Sequence, residues 1–334
     1  MATGSTSCVC SRSESSDRCW TTRDPDVAPP IFGRLDIKWP IDDRLFFQSI
    51  ARAAVCLCTI LMQRFSASPV EMARSIWRNR SLTFQMTKRE VLGRYRGSLL
   101  GLGWSLFHPL VMLTIYTFVF SVVFRARWPG MADGSMTDFA LALFVGMILH
   151  GIFAECVNRA PSLILSNVNY VKKVVFPLEI LPWVAMGSAV FHGVISLAVL
   201  LAALLLTHGT VPWTIVLFPL VLLPFVCATI GTAWILSSLG VYIRDIAQTT
   251  GIVTTILLFV SPVFFPLSSV PREFQTWMKL NPLTFVIESG RSVLIFGLSF
   301  DWLGWTWYLV ASLGIAWGGF WWFQKTRKGF ADVI

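Results

Sequence analysis

The sequence predicts an all-α integral membrane fold with six spans, and three observations carry that reading. No Asp, Glu, Lys or Arg stands between Glu179 and Arg244, a run of 64 residues. Charged residues make up 13% of the chain and hydrophobic ones 55%, against roughly 25% charged in ordinary soluble domains. Further apolar runs on either side approach the roughly 20 residues that cross a hydrocarbon layer. A soluble domain would have to present part of so long an uncharged run to water.

The elements follow in order. Residues 1–70 form a polar extension and 71–334 the membrane domain. The first 40 residues mix Ser, Thr, Asp, Pro and Arg without an apolar core, a composition expected to stay disordered and unlike a secretory signal. Ala53 to Met62 is apolar but ten residues long between Arg52 and Arg64, which suits an interfacial segment. The first span falls near Leu106–Phe124 and the second near Phe139–Phe153, between Asp138 and Glu155. The uncharged run supplies the third, about Ile180–Thr207, and the fourth, about Pro212–Gly240, with the break at His208-Gly209-Thr210-Val211-Pro212. The fifth lies near Ile246–Phe265 and the sixth at Trp302–Phe323, whose six tryptophans suit the interfacial levels of a bilayer. Pro266 to Asp301 is too polar to cross and too apolar for a loop. Two short helices broken at Asn281-Pro282-Leu283 and re-entering the outer leaflet fit it, because irregular backbone at that depth must lie against protein or a watery cavity.

Six spans put both termini on one side. With the termini inside, eleven Lys and Arg flank the inner ends (Lys88, Arg89, Arg94, Arg96, Arg159, Lys172, Lys173, Arg244, Lys325, Arg327 and Lys328) and five the outer ends (Arg125, Arg127, Arg272, Lys279 and Arg291). The positive-inside rule then makes both termini cytoplasmic. The formal charge of +9 is concentrated in the N-terminal part, where 15 of the 27 Lys and Arg precede residue 97. Topology accounts for this more simply than nucleic-acid binding does, and no nucleic-acid partner is expected.

Enzymatic signatures are missing. No Gly precedes a Lys, so there is no phosphate-cradling loop, and neither a His-Glu-x-x-His pair nor a Gly-x-Ser-x-Gly elbow occurs. Cys8 and Cys10 lack the further ligands of a zinc pattern, and reduced cytoplasmic thiols are the plainer reading of the seven cysteines. The four histidines are far apart, and interhelical hydrogen bonding explains them better than a proton relay. With so few ionisable groups in the spans, ion-coupled pumping is disfavoured. Energy for transport would come from a separate subunit.

Three segments then speak together. Lys88-Arg89-Glu90-Val91-Leu92-Gly93-Arg94-Tyr95-Arg96-Gly97-Ser98-Leu99-Leu100-Gly101 leads through Trp104 and His108-Pro109-Leu110 into the first span. Ser166-Asn167-Val168-Asn169-Tyr170-Val171-Lys172-Lys173-Val174-Val175-Phe176-Pro177 follows the second, and Asn281-Pro282-Leu283 lies before the last. From about residue 72 onward, this combination resembles the permease subunit of ABC-type exporters of O-antigen, teichoic acid and related lipid-linked glycans.

The resemblance implies a homodimer of six-span subunits in a bacterial inner membrane, each resting on a nucleotide-binding ATPase subunit. The chain itself would be no enzyme and bind no cofactor, with ATP and Mg on the partner. It also implies an amphipathic helix along the cytoplasmic surface, about Met72 to Gly93, bringing Lys88, Arg89, Arg94, Tyr95 and Arg96 to the lipid head groups; fixing topology is the alternative use of these charges. Asn169, Tyr170, Val171, Lys172 and Lys173 would form a coupling helix seated in the ATPase, with Arg244 a second contact, where the plainer reading is a loop obeying the positive-inside rule. A glycan channel at the dimer interface would draw on Tyr116, Phe118, Phe120, Phe124, Phe259, Phe264 and Phe265, residue types that otherwise face lipid or pack. Glu288 and Arg291 would form an external gate or, three apart on a helix, a structural pair. Residues 1–70 have no counterpart in this pattern and are either a cytoplasmic extension or an early-assigned start. The alternatives to lipid-linked polysaccharide export are a small-molecule exporter of the same fold and a membrane-embedded glycosyl- or acyltransferase.

Overall fold

The computed structural model describes residues 68–124, 136–172 and 176–334. The polar extension, apart from its last three residues, and Lys173 lie outside the described residues. What is described is helical. Helix α1 (Pro69–Arg78) starts on Ser68, whose hydroxyl accepts the Glu71 N–H at 3.1 Å, with proline in the first turn where a missing N–H costs nothing. After a break at Asn79, α2 runs from Arg80 to Tyr95. The expected single helix over 72–93 is thus two.

Helix α3 (Gly103–Tyr116) contains Pro109 and widens into π-helical turns over Thr117–Val123. Helix α4 spans Met136–Arg159. Glu155 does not end this second span as expected, because Arg94 and His192 surround its carboxylate and let the helix continue. A short helix, α5 (Val168–Lys172), leads to α6 (Leu181–His208). Helix α6 stops on Gly209 at φ 69°, a left-handed cap open to glycine, at the break read from the sequence. Next come α7 (Phe218–Tyr242) and α8 (Ile246–Val260). Two short helices, α9 (Arg272–Leu280) and α10 (Pro282–Arg291), precede α11 (Trp302–Thr326) and the terminal turn α12 (Phe330–Val333).

Four stretches are long and apolar enough to cross a membrane: Gly103–Phe120, Asp138–Ser162, Leu178–His208 and Trp213–Tyr242. Helix α8 is apolar but has 15 residues, and it ends before the expected Phe265 because Ser261 is already extended. Helix α11 has 25 residues, but its tryptophans lower its mean hydropathy. Of the six expected spans, four meet both conditions and two meet one.

The core lies where α4, α6 and α7 meet, around Leu141, Leu149, Leu200, Phe225 and Trp234. Helices α7 and α11 pack most closely. A Cβ on Gly231 would lie 2.5 Å from the Ile315 carbonyl oxygen, and Gly319 rests on the Gly231 backbone. In lipid, helices associate through such close backbone approach, since burying hydrocarbon gains nothing there. Gly231→Leu should therefore force the two helices apart, with overpacking costing about 1–3 kcal/mol or more. A thermal melt followed by size-exclusion chromatography of the detergent-solubilised chain should show a lower midpoint; an unchanged midpoint would contradict this packing.

Candidate functional site

Two clusters of charged side chains among the described residues join helices near the Arg159 end of α4. The first centres on Glu179, whose side chain is 10% exposed. Its Oε1 accepts from the Ser75 hydroxyl of α1 at 3.0 Å, and its Oε2 pairs with the Arg327 Nη1 at 2.7 Å. The Glu179 carbonyl accepts from the Trp234 indole of α7 at 3.0 Å. Arg327 also donates through Nη2 to the Phe176 carbonyl at 2.8 Å. Glu179 and Arg327 together thus tie α1, the segment after α5, the fourth candidate span and the C-terminal tail. Burial pulls the Arg327 pKa below the usual arginine range, and Glu179 opposes that shift.

The second joint binds the end of α2 to the second and third spans. Arg94 Nη2 donates to Glu155 Oε1 at 2.7 Å, His192 Nδ1 lies 3.0 Å from Glu155 Oε2, and the Tyr95 hydroxyl lies 3.0 Å from His192 Nε2. Arg159 pairs with Glu90 beside them. Arg94 and Tyr95 thus have protein partners, and the exposed Arg89 donates to the Tyr170 hydroxyl at 3.0 Å. Lys88 and Arg96 are exposed and make no ion pair among the described residues. Glu155 and His192 also line a cavity of about 370 Å³ that reaches His108, Pro109 and Tyr116 on α3.

Helix α5 is built to present two side chains. Tyr170 and Val171 turn inward, the tyrosine ring stacked on Phe176 at 4.4 Å and Val171 packed on the core. Asn169 and Lys172 face outward. The preceding turn is stiffened by Asn167, whose amide donates to the Leu163 carbonyl at 2.9 Å, and by Ser166, which donates to Ser162 at 2.8 Å. Arg244 is exposed in the loop after α7. Just before that loop, Gly240 packs on the backbone of Pro161, beside the same turn.

Towards the opposite end of α4, four of the singled-out aromatics come together. Phe120 stacks near Phe264 (6.3 Å) and Phe124 (5.8 Å), and Phe259 near Phe264 (5.6 Å), with Phe139 against Phe120 at 5.5 Å. Of the other three, Tyr116 packs against the same cluster and also lines the cavity, Phe118 is exposed in the π-helical turns, and Phe265 makes none of these ring contacts. Arg291 is fully buried. It donates to the carbonyls of Ala142 (2.8 Å), Pro262 (2.5 Å) and Val263 (2.7 Å), and pairs with Glu288 at 3.3 Å. Its guanidinium thus holds the irregular backbone after α8. Asn281 caps α10 through the Leu283 N–H and donates to Ser261 at 2.8 Å, tying α10 to the same backbone. Histidines bridge helices elsewhere too: His150 lies 3.0 Å from the Thr254 carbonyl, and His208 lies 2.9 Å from Asp138. No group of three metal-ligating side chains occurs among the described residues.

Sequence reasoning missed Glu179, Arg327, Glu155 and His192. The signal for Glu179 was visible, a lone acid at the head of a 64-residue uncharged run, but it marked only a boundary. A lone carboxylate at a membrane edge needs a cationic partner, and no spacing rule points 148 residues ahead to Arg327.

The chain is 28% identical over 227 residues to an O-antigen export system permease protein RfbA of Myxococcus xanthus, covering 67% of this chain and 84% of that one. It is 24% identical over 253 residues to an RfbA protein of Klebsiella pneumoniae (75% and 93%). It is also 24% identical over 234 residues to the polysialic acid transport protein KpsM of Escherichia coli (68% and 86%). Residues 81–295, from α2 to the end of the α9–α10 hairpin, match the ABC-2 type transporter family, and the chain belongs to it.

Proposed function

We propose that this chain is the permease subunit of an ATP-driven exporter that moves a lipid-linked polysaccharide, O-antigen or a related glycan, across a bacterial inner membrane. The observation that carries this reading is the family membership together with relatives named for O-antigen export and polysialic acid transport. In the fuller form, α3, α4, α6, α7, α8 and α11 are six spans, both termini are cytoplasmic, and the α9–α10 pair re-enters the outer leaflet as a gate. Two copies meet through α3 and α8. Both helices expose apolar side chains such as Phe107, Leu110, Ile252 and Ile256, which suits a second copy. The aromatic cluster of Phe120, Phe124, Phe259 and Phe264 would then lie beside the path of the glycan, since sugars pack well on aromatic faces. The chain catalyses no covalent change and holds no cofactor. ATP and Mg belong to a partner ATPase.

Asn169 and Lys172 on α5, with Arg244 in the loop after α7, are the contact for that ATPase, and Lys173 is assigned to it by the same reading. Movement of the ATPase would pass through the stiff turn at 160–167 into α4, and through Phe176 and the Glu179 joint into α6 and α7. Charge reversal by Lys172→Glu leaves an exposed helix surface that still folds. It should lower co-purification of the ATPase and the ATPase activity of the complex several-fold while the thermal midpoint of the chain stays within a degree or two, as for an exposed substitution. The function itself is tested by deletion. Surface polysaccharide should disappear and lipid-linked glycan build up inside, whereas normal surface glycan in a strain with no second exporter would refute the assignment.

A further inference from the structure

A groove of about 810 Å³ runs beneath α2, separate from every feature used above as path or joint except at one end. Two anchor points create it. Near one end Thr87 sits so close to Gly187 on α6 that a Cβ there would fall 2.8 Å from the threonine hydroxyl. At the other, Ser75 is bonded to Glu179. Between these points the helix stands off the bundle, over a floor of Met186 and Val190 on α6, Val226 on α7 and Phe320 on α11.

Apart from the buried Trp183 indole N–H, which has no hydrogen-bond partner among the described residues, the groove offers water almost nothing. The Thr83 and Thr87 hydroxyls donate to carbonyls of their own helix at 3.1 and 2.8 Å, and Glu179 is occupied by Ser75 and Arg327. An apolar space of this size is filled by hydrocarbon, and its volume lies within the roughly 300–1,000 Å³ of small-molecule sites. Its rim is cationic. Lys88 has no ion-pair partner among the described residues, and Arg80 lies over the Trp77 ring at 4.3 Å. The two stand eight residues apart on α2, about 12 Å along the axis. The nearest acid on that helix, Glu90, is taken by Arg159. No lining residue is shared with the aromatic cluster or with the cavity behind α3, which places a resident here rather than cargo.

We propose that the groove binds one anionic phospholipid of the leaflet on which α2 lies. Its acyl chains sit under α2 and its phosphate sits between Arg80 and Lys88, bracing α2 against α6 and α7. The inference rests on the interfacial placement of α2 in the reading above, but not on transport. The test uses the full-length chain in phosphatidylcholine nanodiscs with a trace of phosphatidylglycerol carrying a photoactivatable acyl chain, followed by peptide mass spectrometry. Labels should fall on the peptides bearing Met186–Val190 and Thr83–Val91. R80Q/K88Q should cut them about 25-fold, each cation near an anionic lipid being worth a factor of about five. Val190→Trp, which fills the floor, should cut them similarly, and thermal melts of both variants report that they fold. Equal labelling by a phosphatidylcholine probe, labels elsewhere only, or displacement by polyprenyl phosphate but not by unlabelled phosphatidylglycerol would overturn the proposal. Loss of export with labelling intact would instead count against the transport reading.

Discussion

Arg291→Met is expected to be the most damaging single substitution in the chain. The guanidinium is fully buried and serves three backbone carbonyls, those of Ala142, Pro262 and Val263. Two of these belong to the irregular stretch after α8, where no helical N–H is placed to reach them. Methionine fills much of the volume but donates nothing. Each carbonyl left unsatisfied costs about 1–3 kcal/mol, and Glu288 loses its partner as well. The joint cost approaches the total stability of many domains, about 5–15 kcal/mol. The purified variant should run as aggregate on size exclusion or melt far below the parent chain. Arg291→Lys should recover only part of the loss, because one ammonium cannot imitate the planar fork that addresses several acceptors at once. Equal melting of parent and Met variant would show that these carbonyls do not depend on Arg291.

Glu179→Ala is expected to separate stability from coupling. Removing the carboxylate leaves Arg327 buried without its acid and frees Ser75. Breaking one side of a buried pair costs about 3–5 kcal/mol, and this pair, 10% and 14% exposed, stands toward the lower end of that range. Replacing both partners, E179Q/R327M, removes the stranded charge and should restore most of the thermal midpoint. If the joint transmits motion from α5 to α6 and α7, export should remain impaired in the double variant even when the protein is stable. Surface polysaccharide, read by immunoblot in a complemented deletion strain, distinguishes the two effects. Full export from a stable double variant would reduce the joint to a structural tie.

Four of the six expected spans were legible in the sequence because lipid imposes a simple rule: apolar runs of sufficient length, with charge at their ends. The turn at Gly209 and the break at Asn281-Pro282 were legible from Gly and Pro, and the structure places a left-handed cap at the first and an Asn281 N-cap at the second. What escaped was pairing over distance. Glu155 carries a charge and so reads as a helix boundary, yet Arg94 lies 61 residues earlier and His192 37 residues later, and their contacts allow α4 to continue. Arg291 reads as a gate charge from the resemblance, or as a structural partner of Glu288 from their spacing, and the pair forms. Only the three-dimensional path of the chain reveals that its principal partners are carbonyls of α4 and of the stretch after α8. Likewise the resemblance implies a lipid-facing basic segment before the first span, and contacts of Arg89 with Tyr170 and of Arg94 with Glu155, 81 and 61 residues away, are not visible in the sequence.

The most direct test is transport in a defined membrane. Proteoliposomes holding this chain and its ATPase, loaded with the lipid-linked polysaccharide on the ATPase side, should show the glycan at the opposite face only when ATP is supplied. An ATPase unable to hydrolyse ATP should abolish that movement. Translocation by this chain alone, or ATP hydrolysis by both subunits with no glycan crossing, would contradict the account.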